Sequence, residues 1–175
     1  MPLNPYADLF EALRGERDEL RLAVRKKLVW AYSWAVPGAD AVAELARASS
    51  IVEIGAGTGY WAWLASLAGA RVDAYDIAPE QAPKWYDVKA GGPERAREHG
   101  DAALLMVWPP YESTMAAEAL AGHGGSRVFY VGELRGRTAD DSFHEALDSR
   151  YRLEKEIPIP RWPGFNDGFF VYVRR

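Results

Sequence analysis

The sequence predicts an α/β fold in which helices cover both faces of a mostly parallel sheet. From residue 50 onward, short apolar segments typical of strands alternate with helical segments, which is the pattern of strand–helix–strand units. Three glycines, Gly55, Gly57 and Gly59, follow the first apolar segment and indicate a tight turn from a strand into a helix. The last two strand-like segments have no helix between them, so we expect the final strand to be antiparallel.

Size and composition fit one ordinary domain and exclude several kinds of chemistry. The chain has 175 residues, of which 49% are hydrophobic, enough to build a core. It has no cysteine, so disulfides, thiolate nucleophiles and cysteine metal sites are excluded. The net charge of −4 argues against a broad electrostatic contact with nucleic acid. No apolar run reaches the roughly 18 residues of a membrane span, and the first residues lack a secretory signal, so we expect a cytoplasmic protein with no membrane partner.

The N-terminal part, residues 1–48, is predicted to be a helical extension or lid. Residues 8–29 have the periodicity of one amphipathic helix, and we expect the basic residues 25–27 at its solvated end. A loop and a short helix over residues 40–48 complete this part. We expect residues 49–175 to form the main domain, so that the whole chain is one compact unit.

The elements of the main domain follow from the positions of the apolar runs and of the turn residues. We expect strands over residues 50–54, 70–76, 102–108, 126–133, 151–160 and 168–175, with a brief further strand near 85–88. Helices are expected over residues 59–69, 93–100, 113–125 and 139–150. Loops that follow the carboxyl ends of the strands should therefore meet at one edge of the sheet, where open α/β folds bind ligands.

The glycine turn is the strongest functional motif of the sequence. Gly55 permits the backbone angles of the turn, and Gly57 lets a ligand approach the main chain closely because no Cβ intervenes. The dinucleotide fingerprint G-x-G-x-x-G is not met, since position 60 is tyrosine and the third glycine comes one residue early. A phosphate-binding Walker loop needs Gly-Lys-Ser/Thr, and the turn has no lysine.

The segment "EIGAGTG", residues 53–59, resembles motif I of the class I S-adenosylmethionine-dependent methyltransferases, E/D-x-G-x-G-x-G. The resemblance implies a Rossmann-like sheet of seven strands with an antiparallel last strand, and S-adenosylmethionine as the cofactor. It implies that Glu53 lies near the methionine end and that Asp76 accepts hydrogen bonds from both ribose hydroxyls, a task that suits a carboxylate. The residues expected to bind the cofactor are Trp34, Glu53, Gly55, Gly57, Gly59, Asp76, Ile77, Trp108 and Pro109.

A second segment, "VWPPY" at residues 107–111, is similar to motif IV of amino-methyltransferases, Asp/Asn-Pro-Pro-Tyr/Phe. In that family the first side chain and a proline carbonyl accept hydrogen bonds from an amino group, and the aromatic residue stacks on the target ring. Here Trp108 replaces the polar residue, which argues against methylation of DNA adenine. The alternative is that the two prolines only end a buried strand. The residues expected to bind the substrate are Tyr32, Trp108, Pro110, Tyr111 and Asp167.

Methyl transfer from a sulfonium is an in-line displacement that requires alignment and the exclusion of water. Where the acceptor is a phenol or an amine, a proton acceptor is also needed. Glu133, at the end of the fifth predicted strand when the brief one is counted, is the candidate for a base or an orienting carboxylate, with Tyr111 as a further candidate catalytic residue. The alternative is that Glu133 has no catalytic role and only neighbours a helix N-cap on a solvated loop. The three histidines are expected to be solvated, and no pair has metal-ligand spacing.

These patterns lead to one functional hypothesis and two alternatives. The chain is predicted to transfer a methyl group to nitrogen or oxygen of a small aromatic or heterocyclic acceptor, because it is compact and rich in Trp and Tyr. The alternatives are a methyltransferase that acts on nucleic-acid bases, which the charge disfavours, and an inactive cofactor-binding partner subunit. The sequence leaves a homodimer open.

Overall fold

The computed structural model describes residues 3–81 and 83–175 and shows a seven-stranded sheet surrounded by helices. The strands are β1 Ser50–Ile54, β2 Arg71–Asp76, β3 Val88–Ala90, β4 Ala103–Val107, β5 Arg127–Gly132, β6 Tyr151–Pro158 and β7 Gly168–Arg174. The α-helices are α1 Pro5–Ala12, α2 Asp18–Ala31, α3 Ala39–Leu45, α4 Tyr60–Leu67, α5 Met115–Gly122 and α6 Asp141–Arg150. Two short 3-10 helices span Pro79–Gln81 and Pro93–His99.

The strand order is β3-β2-β1-β4-β5-β7-β6. Strands β1 to β5 pair in parallel, and β7 lies antiparallel between β5 and β6. The predicted fold class is therefore confirmed, including the antiparallel last strand. The chain runs outward from β1 to β2 and β3, and then returns to place β4 on the other side of β1. This reversal opens a crevice at the carboxyl ends of β1 and β4, where open α/β sheets bind ligands.

Both faces of the sheet are covered by buried side chains, as the continuous apolar strands predict. One face packs against α3 and α4, with Ile51 and Leu105 of the sheet in contact with that layer. The other face packs against α5 and α6, and Val52 and Leu104 point to that side. Successive residues of β1 and β4 thus enter opposite cores, which fixes the register of the central strands.

The N-terminal part differs from the single helix predicted over residues 8–29. The structure has two helices, α1 and α2, separated by a turn that contains the exposed Gly15. Glycine weakens a helix at that point, and Asp18 and Glu19 favour a new helix start because they face its positive dipole end. The turn allows Phe10 to pack edge-on against Trp162, with ring centroids 4.8 Å apart. The prediction of one continuous helix was wrong.

The remaining differences are local. The brief strand predicted near residues 85–88 lies at β3, Val88–Ala90. Trp85 does not join the sheet, because its backbone N–H donates to the Thr58 carbonyl at 2.8 Å. None of the helices in the described ranges is long and apolar enough to cross a lipid bilayer. The division between residues 1–48 and 49–175 stays a prediction.

Candidate active site

The three glycines of the turn after β1 all have positive φ angles, 75° at Gly55, 54° at Gly57 and 73° at Gly59, but their surroundings differ. A Cβ placed on Gly57 would meet no atom within 4 Å, so this residue faces open space. A Cβ on Gly59 would lie 2.8 Å from side-chain atoms of Tyr86 and Val88. Gly57 thus leaves room for a ligand, whereas Gly59 allows close packing between the start of α4 and the chain around β3.

The turn borders a cavity of about 630 Å³ at the carboxyl ends of the central strands. This size suits a cofactor together with a small second molecule. Of the residues predicted to bind the cofactor, Trp34 in the loop after α2 lines the cavity, together with five residues of the turn and of the end of β2: Glu53, Gly55, Gly57, Asp76 and Ile77. The predicted residues Tyr32, Trp108, Pro109 and Pro110 line it as well. Gly59, Tyr111, Glu133 and Asp167 are not among the lining residues.

The carboxylate of Asp76 is fixed at the end of β2 by two backbone donors. Its Oδ2 accepts a hydrogen bond of 2.9 Å from the N–H of Gly57, and its Oδ1 accepts one of 3.0 Å from the N–H of Ala78. A carboxylate has about four acceptor positions. Each oxygen therefore retains a free lone pair, and the pair of oxygens can accept hydrogen bonds from two neighbouring hydroxyls of a ligand.

Glu53 lies below the turn and is only 1% exposed. Its Oε2 has no hydrogen-bond partner among the residues that the structure describes. Burial raises the pKa of Glu53 to about 8, with repulsion from Asp76 acting in the same direction and a hydrogen bond from the Ala62 N–H acting against it. A buried carboxyl with an unpartnered oxygen beside a cavity is suited to a cationic donor such as an ammonium group.

Two indoles close one side of the cavity. The rings of Trp34 and Trp108 are stacked, with centroids 5.0 Å apart and planes at 11°. Trp108 has a φ of 52°, which is uncommon for a bulky residue, and its backbone N–H donates to the Val131 carbonyl at 2.8 Å. Trp34 remains 50% exposed, so the stack forms a boundary between the cavity and solvent.

Asp167, predicted to bind substrate, lies behind the stack. Its Oδ1 accepts a hydrogen bond of 2.7 Å from the indole Nε1 of Trp108. Burial raises the pKa of Asp167 to about 6, a shift that the hydrogen bond from Trp108 opposes. The contact that the structure shows for this side chain is therefore with the chain's own indole.

Glu133, the candidate base, is also buried away from the cavity. Its Oε1 accepts a hydrogen bond of 2.8 Å from the N–H of Asn166, and its Oε2 accepts one of 3.2 Å from the N–H of Arg137. The bond from Asn166 joins the loop after β5 to the loop between β6 and β7, whereas the bond from Arg137 closes the loop after β5 on itself. The geometry gives no support to a base role for Glu133.

Tyr111 and Tyr32 also differ from what a stacking role requires. Tyr111 is 52% exposed and lies outside the cavity lining. Tyr32 lines the cavity, but its ring is already stacked between Tyr6, at 5.0 Å, and Trp85, at 5.2 Å. Their substrate contacts stay predictions.

The expectation of solvated histidines was wrong for two of the three. His123 and His144 are buried, and each has a ring nitrogen near a backbone carbonyl, of Ala102 at 2.8 Å and of Thr138 at 3.1 Å. Within residues 3–81 and 83–175, no group of three or more acidic or histidine side chains could hold a metal ion.

Arg25 is the site residue that the sequence missed. It was expected at a solvated helix end, but it is 9% exposed and lines the cavity from α2. Its guanidinium carbon lies 3.9 Å from the ring centroid of Phe165. Helical periodicity alone could not show this contact, because Phe165 belongs to the loop between β6 and β7 and meets α2 only in the folded chain.

Comparisons with known proteins agree with this fold. No protein-family model matches the sequence, and neither does any curated protein. Among solved structures, the magnesium protoporphyrin IX methyltransferase of Synechocystis PCC 6803, with bound S-adenosylmethionine, has a TM-score of 0.57 at 10% identity, over 99% of this chain and 98% of that chain. A TehB-like S-adenosylmethionine-dependent methyltransferase of Corynebacterium glutamicum has a TM-score of 0.51 at 18% identity, over 77% and 88%. A candidate RNA methyltransferase of Pyrococcus horikoshii has a TM-score of 0.52 at 16% identity, over 90% and 99%.

These neighbours define the architecture. The chain has the Rossmann-like fold of the class I S-adenosylmethionine-dependent methyltransferases. It spans about 60% of the length of two other methyltransferases with the same fold. The neighbours act on different substrates, and at these identities the likeness concerns the fold, so activity and acceptor have to be argued from the site.

Proposed function

We propose that this chain is an S-adenosylmethionine-dependent methyltransferase that transfers a methyl group to nitrogen or oxygen of a small, planar acceptor. The observation that carries the proposal is the arrangement at the ends of β1 and β2. There the open face of Gly57 and the fixed carboxylate of Asp76 border the same cavity, with a hydrogen bond of 2.9 Å between them. The shared fold of the neighbouring structures supports the choice of cofactor.

The residues present fit the parts of S-adenosylmethionine. Asp76 has free lone pairs for two ribose hydroxyls, and Ile77, whose side chain is 80% exposed, offers an apolar surface next to it for a purine. The unpartnered Oε2 of Glu53 suits the amino group of the methionine part. The bound cofactor supplies a methyl group on a sulfonium, which a nucleophile can displace.

The chain's own contribution to the reaction is orientation and exclusion of water. The stacked indoles of Trp34 and Trp108 form a wall over the cavity. Glu53 and Asp76 are the carboxylates among the described lining residues, and both are assigned to the cofactor. An acceptor that is already nucleophilic, such as a phenolate or a ring nitrogen, suits this cavity, because it needs no general base.

Methylation of nucleic-acid bases is the second candidate, favoured by the similarity to the Pyrococcus protein. Several contacts argue against it. The Pro109 carbonyl accepts a hydrogen bond of 2.9 Å from the N–H of Ala139, so one of its lone pairs is occupied. Trp108 offers a donor where the motif needs an acceptor, and that donor is bonded to Asp167. These contacts argue against the recognition of a nucleic-acid base in the way that motif IV provides.

Calorimetry with S-adenosylmethionine and S-adenosylhomocysteine tests the proposal. We expect micromolar binding by the wild-type chain and at least tenfold weaker binding by Asp76→Ala. Asp87→Ala is the matched control, because Asp87 is exposed and lies outside the cavity lining. A chain that binds NADH and not S-adenosylmethionine would refute the proposal.

Turnover is measured separately, with methyl-labelled cofactor and a panel of phenols, heterocycles and short RNA. Label transfer to a small acceptor supports the proposed function, and transfer only to RNA supports the second candidate. Cofactor binding without transfer to any acceptor would support the third possibility, an inactive partner subunit.

A further inference from the structure

Arg25 combines burial, charge and missing partners in a way that the cofactor does not explain. Its side chain lines the cavity and is 9% exposed. Two of its nitrogens, Nε and Nη2, have no hydrogen-bond partner among the described residues and no access to solvent. An arginine presents five N–H donors in a planar fork, and leaving buried donors unpaired is costly. Because Nε and Nη2 are enclosed by the protein, a ligand in the cavity meets the guanidinium at Nη1, which is not among the enclosed nitrogens.

Aromatic rings hold the guanidinium in place. It lies over Phe165 at 3.9 Å, and at 5.6 Å and 5.8 Å from the ring centroids of Trp34 and Trp108. These contacts are cation–π interactions, which stabilise the charge but leave the N–H groups at the edge of the fork free. Because the rings fix the plane of the fork, an anionic acceptor such as a carboxylate can meet its open Nη1 edge with a charge-assisted hydrogen bond.

The nearby acidic groups do not pair with Arg25, although Oδ2 of Asp167 has no hydrogen-bond partner among the described residues. Arg25 forms no ion pair within 4.0 Å with any described carboxylate, although Asp167 and Glu133 are close enough to influence its pKa. The Oδ1 of Asp167 holds the indole of Trp108, and both oxygens of Glu133 hold backbone N–H groups. Burial lowers the pKa of Arg25, yet a guanidinium remains cationic at neutral pH. The cavity therefore contains a buried positive charge without a direct counter-ion.

The position of Arg25 separates it from the half of the cavity assigned to the nucleoside. Its ring neighbour Trp108 follows β4, whereas Asp76 ends β2, and β1 lies between these two strands. Two strand spacings amount to about 10 Å. The guanidinium thus faces the part of the cavity beyond the ribose, on the side of the two indoles.

We propose that the methyl acceptor carries a carboxylate and that Arg25 binds it, so that the substrate class is small aromatic acids with a nucleophilic oxygen or nitrogen on the ring. This inference rests on the proposed function. The ring of the acceptor lies beside the indoles of Trp34 and Trp108 while its carboxylate meets the edge of the guanidinium. A ring substituent, and not the carboxylate, is then the group that faces the methyl donor.

Matched pairs of acids and amides test the inference directly. The probes are 4-hydroxybenzoate and anthranilate, each compared with its carboxamide, which has the same ring without the charge. Binding is measured by calorimetry in the presence of S-adenosylhomocysteine. Hydrogen bonds to a charged partner are worth roughly 1.5–3 kcal/mol, so we expect the acids to bind on the order of 10- to 100-fold more tightly than the amides.

Two variants of Arg25 connect this preference to the guanidinium. We expect Arg25→Gln to remove the preference for acids, and Arg25→Lys to retain part of it. Lys27→Gln is the control, because Lys27 is an exposed cation on the same helix outside the cavity lining. If Arg25→Gln does not fold, the acid–amide comparison in the wild-type chain and in Arg25→Lys still decides the outcome.

Three results would overturn the inference while leaving the proposed function intact. In the first, the chain binds S-adenosylmethionine, but it binds acids and amides equally well or binds neither of them. Such a chain has no site for the carboxylate of an acceptor. If Arg25→Gln weakens binding of S-adenosylmethionine but not of 5′-methylthioadenosine, the guanidinium serves the cofactor's own carboxylate. If Arg25→Gln changes only the melting temperature, the guanidinium serves only to offset the charge of the nearby Asp167. Loss of cofactor binding by the wild-type chain would instead refute the proposed function.

Discussion

The indole N–H of Trp108 donates a hydrogen bond of 2.7 Å to Oδ1 of Asp167, across 59 positions of the chain. This bond joins the residue that follows β4 to the residue that precedes β7. It also holds Trp108 at a positive φ angle, where its ring stacks on Trp34. Asp167 therefore acts on the cavity through Trp108, as a positioning residue.

Replacement of Asp167 should disturb the wall of the cavity. We expect Asp167→Ala to lower the free energy of unfolding by about 1–3 kcal/mol, because it leaves a buried indole N–H without an acceptor. Urea denaturation measures this loss, and a red shift of tryptophan emission should accompany it. Asp167→Asn, which can still accept through its amide oxygen, is the control, and equal losses in both variants would contradict the positioning role.

The second and third glycines of the turn, Gly57 and Gly59, should respond differently to alanine. Gly57→Ala places a methyl group in open space, so we expect weaker cofactor binding and a loss of about 1 kcal/mol in stability from its positive φ angle. Gly59→Ala carries the same backbone strain and also brings its Cβ to 2.8 Å from Tyr86 and Val88. It should therefore lose a further 1–3 kcal/mol or so. Thermal melts and calorimetry of both variants provide the comparison, and equal stability would show that the chain near β3 can move aside.

Glu53 should make stability depend on pH in the neutral range. Its pKa is raised by burial to about 8 in the folded chain, above the ordinary value of 4.5, so the folded state retains a proton that the unfolded state releases. The stabilisation is complete below pH 4.5 and is lost as the pH rises toward 8. In the wild-type chain we expect the free energy of unfolding to fall by an amount on the order of a few kcal/mol over this interval. In Glu53→Gln, whose side chain does not titrate, this fall should be absent. Chemical denaturation at several pH values measures it, and parallel pH profiles for the two chains would contradict the assignment.

The variant Glu133→Gln tests whether Glu133 is a structural carboxylate or a catalytic base. Its oxygens accept hydrogen bonds from Asn166 and Arg137, so we expect Glu133→Gln to reduce stability by about 1–2 kcal/mol. Once an acceptor is known, the folded variant should keep kcat within about threefold of the wild type, whereas loss of a general base would cost roughly 100-fold or more. A large fall in kcat with an unchanged melting temperature would restore Glu133 as the base.

The sheet could be predicted from the sequence because its strands are continuous apolar runs bounded by turn residues. The turn at Gly55 and Gly57 was also predictable, since three glycines between a strand and a helix have few other uses. Both signals are local, and both depend on residues close together in the chain.

The other half of the site depends on contacts between distant segments. Arg25 meets Phe165 across 140 positions, and no periodicity indicates that a basic residue of α2 turns inward. The same holds for Glu133 and Asp167, which are acidic residues in loops at the expected edge of the sheet. Their side chains bind the loops themselves, because the N–H groups of Asn166, Arg137 and Trp108 lie within hydrogen-bond distance of their oxygens.

The stack of Trp34 and Trp108 affects how the cavity can choose among flat molecules. With centroids 5.0 Å apart, the two indoles already satisfy each other, and there is no gap for a third ring between them. A guest that separates them loses the contact between the two indoles before it gains its own, so its faces contribute less net affinity than they would between two free rings. Discrimination among guests then falls to their edges, where charge and hydrogen bonds distinguish one flat molecule from the next.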